Sequence, residues 1–213
     1  MSDIFREIDE ELRRENWQQL WTRYGKYVIA LAILVVVATA AVMGWREYRQ
    51  RQSEAAGQRF MAALDLARQG KNSEAADAFG ALAQSAGNRG AMARLEAAAV
   101  KARTGDVEGA IVDYDKIASD GAADTTFRDV ATLLAARYEL DKGDPHAVVT
   151  RLQPLANAAS PWHGMALELT ALAELKAGES AKARADFDAL AKDNSVSPGV
   201  RQRATEMSQS IAP

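Results

Sequence analysis

Four short turns, each a glycine followed by a polar residue, recur along the chain at Gly70-Lys71, Gly105-Asp106, Gly143-Asp144 and Gly178-Glu179, separated by 35, 38 and 35 residues. A period near 34 residues is that of stacked helical hairpins, each unable to bury its apolar face alone. The register extends beyond the glycines. Alanine stands seven residues before each (Ala63, Ala98, Ala136, Ala171) and a small apolar residue five after (Ala75, Ala110, Val148, Ala183). Nine after comes a large residue (Phe79, Tyr114, Leu152, Phe187), and thirteen after alanine again (Ala83, Ala118, Ala156, Ala191). Glycine suits the end of a first helix, where a left-handed residue meets no Cβ clash. Small residues before and after it let the paired helices approach closely. The bulky residue fills the gap between successive hairpins.

Composition agrees with helices. Aromatic residues make up 7% of the 213 residues, proline occurs 5 times, and alanine supplies most apolar character after residue 45. Alternating runs of β-branched and aromatic residues, which a sheet needs, do not occur there. The pattern predicts an all-α fold: an N-terminal transmembrane helix, then an α-solenoid of about four hairpins and a C-terminal capping helix. Helices are expected near 56–70, 72–86, 91–105, 107–119, 127–142, 145–158, 162–177 and 179–193. Ser197-Pro198 can open a further helix as cap and first-turn proline, with Val200, Ala204, Met207 and Ile211 on one face. It would cover the apolar flank that a solenoid exposes at its end.

The repeats resemble the tetratricopeptide repeat, with two departures: the closing proline is displaced, and Leu82, Ile117, Leu155 and Leu190 stand where the family usually has alanine. In that family the first helix of each pair lines a concave, peptide-binding groove. The resemblance carries this role to Phe60, Leu64 and Ala67 in the first repeat, and to Met92, Leu95, Ala99 and Arg103 in the second. The third supplies Val130, Leu133, Arg137 and Leu140, and the fourth Met165, Glu168, Leu172 and Leu175. Some of these are equally readable as core between paired helices. The lysine and asparagine that clamp a peptide carboxylate in some relatives are absent. A mainly apolar, methionine-containing groove suits loosely specific hydrophobic segments.

Residues 27–45, YVIALAILVVVATAAVMGW, hold no charge over 19 positions. As a helix they span roughly 28 Å, close to the hydrocarbon thickness of a bilayer. Tyr24, Tyr27, Trp45 and Tyr48 bracket them as an interfacial aromatic belt would. Ala38-Thr39-Ala40 resembles a signal-peptide cleavage site, but the preceding 26 residues are long and carry six acidic groups, and the apolar run continues beyond it. An uncleaved anchor is the better reading. Orientation is tied, with Arg13, Arg14, Arg23 and Lys26 before the span and Arg46, Arg49, Arg51 and Arg59 after it. Ahead of the span, Ile4, Phe5, Ile8 and Leu12, then Trp17, Leu20, Trp21 and Tyr24, form an apolar stripe at helical spacing. That stripe fits a docking helix at the membrane face or a helix that merely seats the anchor.

Catalytic signatures are not found. Cysteine is absent, and neither His146 nor His163 has a second ligand at zinc spacing. Gly70-Lys71 lacks the upstream glycine of a phosphate loop. Asp113 with Asp115 and Asp186 with Asp188 lie two apart, which on a helix points each pair to different faces, as on a solvated surface. Net charge is −3, with 5 basic and 6 acidic groups in residues 1–45 and 21 and 23 beyond, so no basic field draws nucleic acid. The expectation is a binding protein rather than an enzyme, without metal or cofactor.

The opening DIFREIDEELRRENWQQLWTRYG, set directly before the anchor and followed by the alanine-rich repeats, resembles the YfgM-like ancillary subunits of the bacterial Sec translocon. The resemblance covers the whole chain. It implies a cytoplasmic tail (1–26), an inner-membrane span (27–45), a juxtamembrane linker or helix (46–55), repeats (56–197) and a capping segment (198–213), everything after the span being periplasmic. It further implies association with the translocon channel and a membrane-anchored periplasmic chaperone, and assistance to unfolded or emerging polypeptides. A static scaffold bridging envelope complexes without holding clients is the other reading.

Overall fold

The computed structural model describes residues 2–85 and 87–211, without side chains for 2–21, 28 and 32. The apolar stripe of the tail, Ile4 through Trp21, therefore lies outside the described side chains. Nine helices and no strand occur among the described residues: α1 Ser2–Arg68, α2 Asn72–Ala83, α3 Asn88–Arg103, α4 Val107–Ala118, α5 Thr125–Lys142, α6 Pro145–Leu152, α7 His163–Lys176, α8 Ser180–Lys192 and α9 Pro198–Ser210. The chain divides into two compact units, Met1–Gly57 and Gln58–Pro213.

In the first unit, α1 carries one stretch long and apolar enough to cross a membrane, and none of it is buried within the protein. Its leucines, isoleucines and valines stand exposed between Ile29 and Val42. The hydroxyl of Thr39 donates to the Val35 carbonyl at 2.7 Å, so its one polar side chain is paired within the helix, as hydrocarbon surroundings require. At either end a cation lies over an aromatic ring: Lys26 5.1 Å from the Tyr27 centroid, and Arg49 5.2 Å from that of Trp45. Amphipathic rings and snorkelling cations are the side chains that favour an interface.

The second unit is a row of hairpins. The alanines seven before each glycine, the small residues five after and the large residues nine after are all fully buried. Each of Phe79, Phe187 and Leu152 withdraws enough apolar area to contribute about 1.5–3 kcal/mol. Phe60 meets Phe79 edge-on at 5.5 Å, and Tyr114 stacks on Tyr138 at 5.9 Å. Besides its sequence neighbours, α3 touches α5, α5 touches α7, and α7 touches α9, so the first helices of successive hairpins form a continuous inner row.

Gly70, Gly105 and Gly178 have φ of 75°, 95° and 83°. At each, the next residue's N–H reaches back five residues (Lys71 to Leu66, Asp106 to Lys101, Glu179 to Glu174) while the glycine N–H bonds three back, closing a Schellman cap. Gly143 departs from the expected left-handed form, with φ −96° and ψ −171°. Pro145 is the reason. Its ring disfavours helical geometry at Asp144, which is extended at ψ 119° and caps α6 by accepting from the His146 N–H at 2.9 Å. The sixth helix also ends at Leu152 rather than 158, two residues before Pro154, whose ring cannot sit in a helix interior.

The paired carboxylates are not merely solvated, as their spacing had implied. Asp113, half-buried, receives Lys101 from α3 of the same hairpin and Lys116, while Asp115 receives Arg151 from the next hairpin. Asp186 neighbours the Glu174 carboxylate on α7, which Lys182 pairs at 2.8 Å, and Asp188 accepts from Ser208 on α9. The i,i+2 offset thus aims one carboxylate inward across its hairpin and the other at the following element. One pairing recurs across hairpins, between the residue four before the glycine and the residue eight after: Lys101–Asp113, Glu139–Arg151 and Glu174–Asp186. The first two are ion pairs of opposite order. The third sets two acids together.

Candidate functional site

The inner row opens into a cleft of about 420 Å³ between α5, α7 and α9. Leu133, Leu134 and Arg137 line it from α5, Met165, Glu168, Leu169 and Leu172 from α7, and Ser197, Val200 and Arg203 from the start of α9. Leu169 and Leu172 are half-buried, and Met165 is 46% exposed at the opening.

The α9 wall is held by several local devices. Ser197 takes the cap position before Pro198, although its hydroxyl makes no capping bond; its carbonyl instead accepts from the Val200 and Arg201 N–H groups. The Arg201 guanidinium donates to the Val196 carbonyl at 2.7 Å. Gly164 lets this segment lie close on α7, since a Cβ there would stand 2.9 Å from a Val196 methyl. Arg203 donates through Nε and Nη2 to the two Glu168 oxygens at 2.6 and 2.7 Å. The Glu168 carboxylate raises the Arg203 guanidinium above its ordinary value. Both charges are thereby neutralised at the rim.

Of the fifteen residues assigned to a groove from the sequence, the structure gathers five here: Leu133, Arg137, Met165, Glu168 and Leu172. The rest are elsewhere. Phe60 and Leu64 pack on Phe79 and Ala63 in the first hairpin, and Val130 packs beside Tyr114. Leu95, 8% exposed, is core between α3, α4 and α5. Met92 and Arg103 are exposed and Ala99 half-buried, away from the cleft lining. Leu133 belongs to both groups: it is 4% exposed and core, with an edge on the cleft. Ala67, Leu140 and Leu175 are half-buried against the core. The residues of α9 were missed, yet Val200 and Arg203 stand 35 residues after Met165 and Glu168, one repeat period on.

The two histidines sit in different surroundings. Nδ1 of His163 lies 2.8 Å from the Ala156 carbonyl and Nε2 3.4 Å from Asp193, which fixes the start of α7 to the end of α8. His146 is exposed. Among the described residues no cluster of histidine and acidic groups could hold a metal ion.

A row of hairpins with buried alanine crossings, Schellman turns and an inner layer of first helices is the architecture of a tetratricopeptide solenoid. The profile of the tetratricopeptide repeat-like domain matches residues 18–208. The chain belongs to that family. The match begins ahead of the apolar span and runs through nearly all of α9, so the tetratricopeptide repeat-like region includes both. No curated protein matches the chain. Tetratricopeptide repeat-like domains are typically protein-interaction scaffolds without catalysis.

Proposed function

We propose that this protein is a single-pass inner-membrane interaction module, its tail cytoplasmic and its repeats periplasmic, that receives secreted or envelope polypeptides at the exit of the Sec translocon. One observation carries the binding role: the α5–α7–α9 cleft, floored by leucines and opened by an exposed methionine, in a tetratricopeptide repeat-like domain. Methionine is unbranched and polarizable and adapts to varied apolar side chains, which suits clients of differing sequence. The apolar stretch of α1 supports the anchor. The placement at a translocon, beside a membrane-anchored chaperone, rests on the resemblance of the tail and anchor to YfgM-like subunits.

Anchoring matters to the mechanism. A domain tethered beside an exit site meets emerging segments at an effective concentration in the millimolar range, so weak intrinsic affinity suffices. The test is photocrosslinking in cells from position 165, with the captured species identified. Nascent or unfolded envelope proteins among the products support the client role. Capture of folded membrane complexes alone would remove it and leave a static scaffold.

A further inference from the structure

We infer that the cleft selects apolar segments carrying a single acidic side chain, with Arg137 as the residue that reads the acid. The inference rests on the cleft being a binding site and adds the chemistry of its occupant. The cleft has two cations. Arg203 is committed, its Nε and Nη2 both donating to the Glu168 carboxylate, which balances its charge. Arg137 is exposed on the cleft lining and, among the described residues, has neither an ion pair nor a hydrogen bond. The remaining walls are leucine, valine and methionine, apart from Ser197. The lining therefore presents one uncompensated positive charge on an apolar surface.

A guanidinium is weakly hydrated and offers a planar fork that matches a carboxylate with two parallel hydrogen bonds. Beside apolar walls such a pair is less screened than on open surface. One free fork suits one carboxylate and not a polyacidic tract, whose further charges would meet Glu168 and find Arg203 occupied. A polyanion such as nucleic acid is disfavoured for the same reason and by the net charge of −3. The occupant that complements the surface is a peptide segment with large apolar side chains on either side of one aspartate or glutamate.

The full-length protein in lipid nanodiscs, titrated against fluorescein-labelled peptides and followed by anisotropy above an empty-nanodisc control, tests this. One probe has a Leu-Leu-Glu-Leu-Leu centre between Gly-Ser arms, and its twin has glutamine for glutamate. At low salt the glutamate peptide is expected to bind about five- to tenfold tighter, the scale of one charge-assisted hydrogen-bonded pair. Arg137→Gln should abolish the difference, and Lys192→Gln, an exposed cation on α8, should leave it. Met165→Asp should weaken both peptides. Equal binding of the twins, or a preference that survives Arg137→Gln, overturns the acidic selectivity while the apolar cleft stands. If neither peptide binds the wild-type protein, the cleft as a binding site falls, and this inference with it.

Discussion

Arg203 and Glu168 are 35 residues apart and joined by two parallel hydrogen bonds, so the last helix is tied to α7 at one repeat period. The first helices of neighbouring hairpins meet in the same way, and α9 thus takes the place of the first helix of a fifth hairpin. It closes the stack and completes the cleft in one step. Arg203 is partly exposed and screened, and the coupling measured by a double-mutant cycle on Glu168→Ala and Arg203→Ala should be about 1 kcal/mol at low salt. It should shrink in about 1 M salt, where the Debye length is near 3 Å. Additive single variants at low salt would show that the pair does not hold α9.

Ala98 and Ala136 are fully buried where paired helices cross. Leucine at either should destabilise the domain by about 1–3 kcal/mol, because the extra methylenes force the backbones apart. Urea unfolding of each variant against the parent measures it. A midpoint equal to that of the parent would mean the crossing has room for a larger side chain.

The like-charged pair in the last hairpin makes a pH prediction. Glu174 is 2% exposed, and burial, ahead of the neighbouring acid Asp186, raises its carboxyl above the usual 4.5 against the opposing pull of Lys182. The folded state therefore holds this proton more tightly than the unfolded state. The resulting stability is fully present below about pH 4.5 and is lost as pH rises through the raised value. Glu174→Gln removes that dependence, so its melting temperature relative to the parent should climb from pH 4 to neutrality. Carboxylates held low elsewhere, such as Asp120 by Arg94, act oppositely but equally in both proteins. A constant difference across that range would contradict the assignment.

Aspartate substitutions should separate core from cleft. Leu95→Asp places a carboxylate among Tyr114, Ile117 and Ala131 without a partner, and should unfold the domain. Met165→Asp lies at the opening and should leave the circular dichroism and melting curve nearly unchanged while reducing client crosslinks. A triple change of Leu95, Leu133 and Leu172 is expected to unfold the protein, since two of the three are core.

Topology is open to a direct measurement. Alkaline phosphatase fused after Pro213 should be active, and a reporter that works only in the cytoplasm should be silent. The reverse outcome would place the repeats on the other side and remove the translocon-exit function.

Sequence alone determined the repeat register and the long apolar stretch of α1, because both are demands on side-chain volume and polarity at particular positions. Ala63, Ala98, Ala136 and Ala171 could be aligned by counting, and all four are fully buried. An irregular third turn also follows from the sequence, since Pro145 disfavours helical geometry at Asp144. Which inner-row residues stay open was decided only by the tertiary structure. Met92 and Met165 occupy equivalent repeat positions at 45% and 46% exposure, yet of the two it is Met165 that lines the α5–α7–α9 cleft, because α9 stands beside it. The acid pairs divide in the same way. Their divergence follows from a two-residue offset on a helix, but their partners, Lys101, Arg151, Glu174 and Ser208, are 12 to 36 residues away. Whether a carboxylate meets a cation or another acid there depends on how hairpins stack, and that spacing is set by packed volume rather than by any local pattern.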